Sequence, residues 1–99
     1  MTTPSAQDDP VAGQITLRYW ASARAAADVE VDLIDVTGPV SLASLKSRAR
    51  LLHDSVTFRN VLEICSVLVG DRPAAAADQE AVVVEPGQTV EFLPPFAGG

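Results

Sequence analysis

The stretch SLASLKSRARLLH, residues 41–53, carries the strongest helical pattern in the sequence. Its apolar residues at positions 42, 45, 49 and 52 recur at intervals of three and four, so they share one side of an α-helix. Ser41 is a good N-cap, because its hydroxyl can accept a hydrogen bond from a free backbone N–H of the first turn. The basic residues at positions 46, 48 and 50 lie off this stripe. We predict one amphipathic helix over 41–53, with Leu45 and Leu52 buried in the core.

Two segments with strand-like alternation precede this helix, ITLRYW at 15–20 and VEVDLIDV at 29–36. Both alternate apolar and polar residues and are rich in β-branched or aromatic side chains, which is typical of half-buried strands. The intervening ASARAAAD, residues 21–28, contains strong helix formers and could form a helical turn or a wide connection. Two strands with a short connection predict an antiparallel hairpin.

The segments after the main helix predict a return to the same sheet. Phe58, Val61, Leu62 and Cys65 recur at helical spacing and predict a second short helix near 57–64. The sequence SVLVGDRP at 66–73 indicates a buried strand followed by a turn. Residues 81–84 and 89–93 are β-prone and are separated by the turn EPGQ. This order predicts an α+β fold of the β-grasp type, with a mixed sheet of four to five strands packed on one main helix and a short second helix.

Composition limits the class of protein. A chain of 99 residues with 47% hydrophobic residues is long enough for one globular domain. The formal net charge of −6 repels a phosphate backbone, so we expect no nucleic acid as a partner and favour a partner with a basic protein surface.

No apolar run approaches the ~20 residues of a membrane-spanning helix, and no signal peptide is recognisable, so we expect a cytoplasmic protein without a membrane partner. A single cysteine excludes an internal disulfide and a multi-cysteine metal site.

A few conspicuous side chains have structural interpretations that compete with functional ones. We interpret Cys65 as core filler rather than a persulfide relay. His53, near the end of the main helix, is better interpreted as a C-terminal cap or a solvated residue than as a general base. Tyr19 and Trp20 point to opposite faces of a strand, so one is predicted in the core and the other on the surface, where a partner could contact it. The acidic residues show no metal-ligand spacing.

The C-terminal sequence FLPPFAGG, residues 92–99, is unusual because a strand-like start leads into two prolines and a final Gly98-Gly99. Together with the β-grasp order, this ending resembles the ubiquitin-like sulfur carriers of the MoaD/ThiS type, most closely the small subunit of molybdopterin synthase. The resemblance implies a sulfur carrier domain over 14–99 with an extended tail over 94–99, preceded by a mobile N-terminal segment over 1–13. The chain departs from the family pattern at Asp28, where such proteins often have glycine.

The resemblance implies chemistry at the C-terminal carboxylate of Gly99. In such carriers an E1-like activating enzyme uses ATP to adenylate this carboxylate, and sulfur then displaces AMP and leaves a thiocarboxylate. The carrier itself would hold no permanent cofactor and no metal, and it would not be a catalyst alone. The large subunit of molybdopterin synthase would supply the catalytic side chains and pass the sulfur to a cyclic pterin precursor, forming the dithiolene of the molybdenum cofactor.

The residues of the tail suit insertion into a narrow tunnel. Gly98 and Gly99 lack a Cβ atom and adopt backbone angles that other residues avoid. The two prolines fix φ and favour extended geometry, so less entropy is lost on insertion. Phe96 can anchor the tail in an apolar pocket of the partner. The resemblance assigns tail insertion and partner binding to Pro94, Pro95, Phe96, Ala97 and Gly98.

The sequence leaves several functions open. The same carrier chemistry could serve the synthesis of cysteine, thiamine or another thiolated product. A ubiquitin-like modifier, whose Gly99 becomes amide-linked to a lysine of a target protein, is a different class of function. A plain binding module with an inert tail is a third. Sequence does not separate the carrier pathways, because the chemistry of the carrier is the same in each.

Overall fold

The computed structural model describes residues 13–74 and 79–95. Its strands are β1 (Gly13–Tyr19), β2 (Val31–Val36), β3 (Val40–Ser41), β4 (Ser66–Val69), β5 (Arg72–Pro73), β6 (Val83–Val84) and β7 (Thr89–Leu93). Its helices are α1 (Ala21–Ala27), α2 (Leu42–Leu52) and α3 (Val56–Ile64). The segment predicted to be mobile over 1–13 lies outside the described residues, apart from Gly13. None of the helices in the described ranges is long and apolar enough to cross a membrane.

Five strands form one mixed sheet in the order β2-β1-β7-β4-β5. The first and last of the long strands, β1 and β7, are parallel neighbours, and the other pairs in this sheet are antiparallel. A separate two-stranded sheet joins β3 and β6. The predicted hairpin is confirmed by the antiparallel pairing of β1 with β2. The mixed sheet with its accompanying helices is the β-grasp architecture predicted from the order of elements.

The connection between β1 and β2, which the sequence left open, forms helix α1. Asp28 ends this helix in the left-handed region, with φ of 63°, and its backbone N–H donates to the carbonyl oxygen of Arg24 at 2.9 Å. Aspartate is one of the few residues other than glycine that adopt this conformation readily. The backbone of this helix therefore ends in the conformation that a C-terminal glycine commonly adopts.

Helix α2 confirms the predicted cap and corrects one of the two predicted core positions. The hydroxyl of Ser41 accepts a hydrogen bond from the backbone N–H of Ser44 at 3.0 Å. Leu45 is fully buried, but Leu52 is 55% exposed, so the prediction that Leu52 lies in the core is wrong. Three helical turns of about 3.6 residues counted from Leu42 lead to position 53 rather than 52. The inward side of the helix therefore continues to His53.

Lys46 is a second correction, because the sequence pattern placed it off the apolar stripe and the structure leaves it only 6% exposed. Its position, four residues after Leu42 and three before Ala49, puts it on the buried side of α2. The ammonium group donates to the side-chain oxygen of Gln79 at 3.1 Å. A lysine in this position buries its aliphatic stem while its polar end keeps a hydrogen-bond partner.

The core is continuous between the sheet and the helices. Helix α3, predicted near 57–64, spans Val56–Ile64 and is capped by Ser55, whose hydroxyl accepts from the N–H of Phe58 at 3.1 Å. Sixteen apolar residues are buried in one cluster. The largest fully buried ones are Tyr19, Phe58, Phe92, Ile15, Leu17, Leu42, Leu45 and Leu62. All residues of this cluster lie between Ile15 and Phe92.

Candidate functional site at the end of β7

The tail starts from a strand that is held on both sides. β7 lies between β1 and β4, and its last residue, Leu93, pairs with Ser66. The backbone N–H of Trp20 donates to the carbonyl oxygen of Phe92 at 3.2 Å. Pro94 follows half-buried and Pro95 is exposed. Because a central strand is anchored by two ladders, the chain leaves the sheet at a fixed point.

A buried aromatic and polar cluster supports this point from inside. The ring of Phe92 stacks on Tyr19, with centroids 5.7 Å apart and planes inclined by 19°. The Tyr19 hydroxyl donates to Oδ2 of Asp32 at 2.7 Å, and Nε2 of His53 pairs with the same oxygen. Burial raises the pKa of Tyr19, and its hydrogen bond to Asp32 raises it further. Tyr19 is therefore a neutral hydrogen-bond donor at physiological pH, and not a group that titrates.

His53 takes one of the two roles predicted for it. It is the C-cap residue of α2, and its backbone N–H donates to the carbonyl oxygen of Ala49 at 3.0 Å. Its ring is not solvated, because it packs against Phe58, with centroids 5.0 Å apart, and pairs with Asp32. No periodic pattern indicates this pair, because the two residues are 21 positions apart.

The face of the sheet opposite the core carries a surface next to the start of the tail. Side chains alternate along β7, so Glu91 and Leu93 point away from buried Val90 and Phe92. Glu91 lies opposite Arg18 on β1 and Leu68 on β4. We call the surface formed by Arg18, Trp20, Leu68, Glu91 and Leu93 the Trp20 surface.

Trp20 is the most prominent side chain of this surface. It is 38% exposed while Tyr19 is fully buried, which confirms the predicted division between core and surface. Its indole Nε1–H donates to Oε1 of Glu91 at 2.9 Å, and the guanidinium carbon of Arg18 lies 5.7 Å from the ring centroid. These two contacts hold a large aromatic ring in a defined orientation beside the end of β7. A fixed, partly exposed aromatic side chain is a typical anchor for a protein partner.

The structure describes only the beginning of the predicted site. Phe96, Ala97, Gly98 and Gly99 lie outside the described residues, and their roles remain predictions. Arg18 and Glu91 were missed by the sequence analysis. The alternation of TVEFL indicates that Glu91 faces away from the core, but its position beside Arg18 depends on the parallel pairing of β1 with β7, which the sequence pattern does not reveal.

Cys65 ends helix α3 and is half-buried against the core. Its thiol donates to the carbonyl oxygen of Val61 at 3.2 Å. Burial raises the pKa of the thiol to about 11, and the positive charge of Lys46 lowers it by a smaller amount. A thiol with a raised pKa is a poor nucleophile, because the thiolate is the reactive form. These contacts agree with a packing role for Cys65.

This geometry predicts slow chemical labelling of Cys65. At pH 7.5 a thiol-alkylating reagent is expected to react roughly 100-fold more slowly with the folded chain than with the same chain in denaturant, since a pKa shift changes the thiolate fraction tenfold per unit. Because burial raises the pKa of Cys65 in the folded state, the neutral thiol favours the folded chain. This contribution to stability is complete below pH 9 and is lost as the pH rises towards 11. Equal labelling rates in the two states would show an accessible thiol and revive the relay interpretation.

Comparison with known proteins finds no matching family model and no match among curated proteins. Solved structures do match. SAMP1 from Haloferax volcanii is 18% identical with a TM-score of 0.72, covering 88% of this chain and 100% of that chain. Molybdopterin converting factor subunit 1 from Pyrococcus furiosus is 17% identical with a TM-score of 0.68, covering 85% and 99%. A chain of the protein–protein complex of subunits 1 and 2 of the molybdopterin-converting factor from Helicobacter pylori is 19% identical with a TM-score of 0.59, covering 87% of this chain and 99% of that chain.

Because all three proteins are no more than 19% identical to this chain, the comparisons establish its fold and nothing finer. The chain has the ubiquitin-like β-grasp fold of these proteins, and the resemblance predicted from the sequence is confirmed at that level. The match extends over nearly the full length of each of these neighbours.

Proposed function

We propose that this chain is a sulfur carrier, whose Gly99 carboxylate is adenylated by an E1-like enzyme and then converted to a thiocarboxylate. The observation that carries the proposal is the position of β7. This strand lies at the centre of the sheet, ends beside the Trp20 surface and continues directly into Pro94-Pro95 and the sequence FAGG. A rigid base, a stiff extended segment and two terminal glycines suit a tail that enters another protein.

The chemistry needs only the terminal carboxylate from this chain. A carboxylate oxygen attacks the α-phosphorus of ATP, pyrophosphate leaves, and an acyl-adenylate forms. A sulfide-level sulfur nucleophile then attacks the acyl carbon, and AMP leaves with the electrons of the broken C–O bond. The carrier supplies no acid, base or metal for these steps. Its contribution is to present Gly99 at the end of a thin tail and to dock through the Trp20 surface.

We further propose that the thiocarboxylate donates its sulfur to a cyclic pterin precursor in molybdenum cofactor biosynthesis. Support comes from the neighbours described as molybdopterin converting factor subunits, one of which is in a complex with subunit 2. By analogy, the partner of this chain would be the large subunit of a molybdopterin synthase, with basic residues around the site that receives Gly99. The net charge of −6 favours such a partner.

A second candidate function is that of a protein modifier. It is favoured by the match to a structure described as small archaeal modifier protein 1 from Haloferax volcanii, with a TM-score of 0.69 and 14% identity. In that case the acyl-adenylate would be passed on to the amino group of a lysine, and an amide bond would form at Gly99. The fold and the tail suit both functions, so the product formed at Gly99 distinguishes them.

The Trp20 surface gives a test of the partner. Trp20→Ala removes a partly exposed ring that is not part of the buried core cluster. It is expected to weaken the complex with the large subunit by at least about tenfold while leaving the melting temperature close to that of the wild type. Val56→Ala is the control, because Val56 is 65% exposed but lies on α3, outside the Trp20 surface. Titration calorimetry of both variants measures the difference.

The same titration also tests the proposed pathway. A wild-type chain that binds no synthase-like large subunit from its own organism would contradict the molybdopterin proposal and favour another carrier pathway. Wild-type affinity in Trp20→Ala together with lost affinity in Val56→Ala would move the docking surface from the sheet to the helices.

A further inference from the structure

The outer edge of β2 is a row of backbone groups that no strand in residues 13–74 and 79–95 pairs with. In an antiparallel ladder, alternate residues turn their N–H and C=O groups towards the same neighbour. The N–H of Tyr19 donates to the carbonyl oxygen of Glu30, so the even-numbered residues of β2 face β1. Val31, Leu33 and Asp35 therefore turn their backbone groups outwards. An exposed edge of this kind is a template for pairing with another chain.

Exposed leucines surround this edge. Leu33, at the middle of β2, is 58% exposed, and Leu51 and Leu52 at the end of α2 are 82% and 55% exposed. All three line one shallow recess between β2 and α2. Arg48 crosses the recess, and its guanidinium donates to the carbonyl oxygen of Asp35 at 3.3 Å. We call this region, formed by Val31, Leu33, Asp35, Arg48, Leu51 and Leu52, the β2 edge.

We propose that the β2 edge binds the β2 edge of a second copy of this chain, so that the two five-stranded sheets become one. The edge is self-complementary about Leu33. Antiparallel pairing on a two-fold axis places Leu33 opposite Leu33 of the second copy, and Val31 opposite Asp35. The carbonyl oxygen of Asp35 has two lone pairs, so it can accept from Val31 of the second copy while it keeps its bond to Arg48.

The charges at the edge match in the same arrangement. Glu30 of one copy lies opposite Val36 of the other, beside the place where Arg48 meets Asp35. Glu30 contacts the guanidinium of Arg24 in its own chain at 3.6 Å. In the paired strands Arg48 of the second copy comes to the same end, so an acidic side chain has basic neighbours from both copies. The carboxylate of Asp35 is already engaged by the side-chain amide of Gln14 at 2.9 Å. Leu51 and Leu52 of both copies line the helix side of the junction, where apolar surface leaves water on pairing.

This pairing leaves the proposed sulfur-transfer site free. Val31 pairs with Arg18 at the end of the sheet where β7 leads into the tail, whereas Asp35 lies at the opposite end. A two-fold axis at Leu33 therefore directs the two tails away from each other. Each copy contributes one short strand and three leucines to the contact. The interface is therefore small, and small interfaces form weak complexes. The inference concerns association and does not depend on the chemistry at Gly99.

Cysteine cross-linking tests the register. In a hydrogen-bonded antiparallel pair the facing Cα atoms are about 5.5 Å apart, a separation that a disulfide spans. Leu33→Cys is therefore expected to form a covalent dimer under mild oxidation. Asp35→Cys is the matched control on the same outward row, because two copies of position 35 would be offset by about 13 Å along the strands, at roughly 3.3 Å per residue. All three proteins retain Cys65, so the wild type measures the cross-linking that Cys65 alone produces. Equal cross-linking of all three proteins would overturn the proposal.

Sedimentation equilibrium of the full chain tests the association itself. We expect a monomer that converts to a dimer with rising concentration, and Leu33→Asp is expected to weaken this dimer at least tenfold. Val56→Asp is the control, since Val56 is an exposed aliphatic residue on α3 that receives the same charge. A chain that stays monomeric up to millimolar concentration would overturn the proposal, as would equal effects of the two substitutions.

Amide hydrogen exchange separates the second copy from other occupants of the edge. The Leu33 amide is expected to exchange quickly in dilute protein and to become protected as concentration rises. Protection that is the same at every concentration would mean that another segment of the same chain covers the edge, which would contradict the proposal.

Discussion

Deleting Gly99, or replacing Gly98 with alanine, is expected to abolish sulfur loading while leaving the free energy of unfolding unchanged. Loading requires the terminal acyl carbon at the active site of the activating enzyme, and a Cβ atom at position 98 widens the chain where it must be thinnest. Stability is expected to survive because the described core lies entirely between Ile15 and Phe92. Activity and stability would therefore separate completely.

Gly38→Ala is the matched control for Gly98→Ala. No atom lies within 4 Å of a Cβ added at Gly38, so the same substitution there is expected to change neither loading nor stability. Loading is measured with the purified activating enzyme, ATP and a sulfur source, and unfolding with a denaturant titration. Loading of Gly98→Ala at the wild-type rate would refute the narrow-tunnel argument. Loading of the chain that lacks Gly99 would place the reactive group elsewhere.

Leu45→Ala is expected to lower the free energy of unfolding by ~2–5 kcal/mol, the range for a leucine truncated inside a packed core. Leu45 is fully buried on the inner side of α2. The loss combines the transfer energy of the removed atoms with the cavity that the rigid surroundings do not fill. Chemical denaturation followed by circular dichroism measures the difference.

The same helix provides the control. Leu52→Ala makes an identical chemical change at a position that is 55% exposed, and it is expected to cost less than about 0.5 kcal/mol. A loss of less than about 0.5 kcal/mol in Leu45→Ala would mean that α2 does not present Leu45 to the core as described. A comparable loss of ~2–5 kcal/mol in Leu52→Ala would restore the sequence prediction that both leucines lie in the core.

The order of the long strands and of helices α2 and α3 could be predicted from the sequence because local periodicity specified it. The alternation around Ile15 and Leu17 predicted β1, and the spacing around Leu45 predicted α2. Leu52 was placed wrongly because a stripe with intervals of three and four drifts across the helix surface over three turns. Lys46 was placed wrongly because a charged residue was assumed to face solvent, whereas its aliphatic stem can be buried when Gln79 receives its ammonium group.

The candidate site was predictable only where one short segment carried it. The tail was recognisable from FLPPFAGG, and the exposure of Trp20 followed from strand alternation. The contact of Trp20 with Glu91 joins residues 71 positions apart and depends on the parallel pairing of β1 with β7. The pair of Asp32 with His53 likewise depends on tertiary packing. Periodicity within one segment does not reveal which segments become neighbours.

The intact mass of the full chain after incubation with an activating enzyme, ATP and a sulfur source tests the central claim most directly. The sulfur-carrier proposal predicts a gain equal to the replacement of one oxygen atom by sulfur, located at Gly99 by fragmentation, and no gain in the chain that lacks Gly99. A chain that instead becomes amide-linked to lysines of other proteins, without any thiocarboxylate, would contradict the carrier function and establish the modifier. A chain that forms neither product would contradict both.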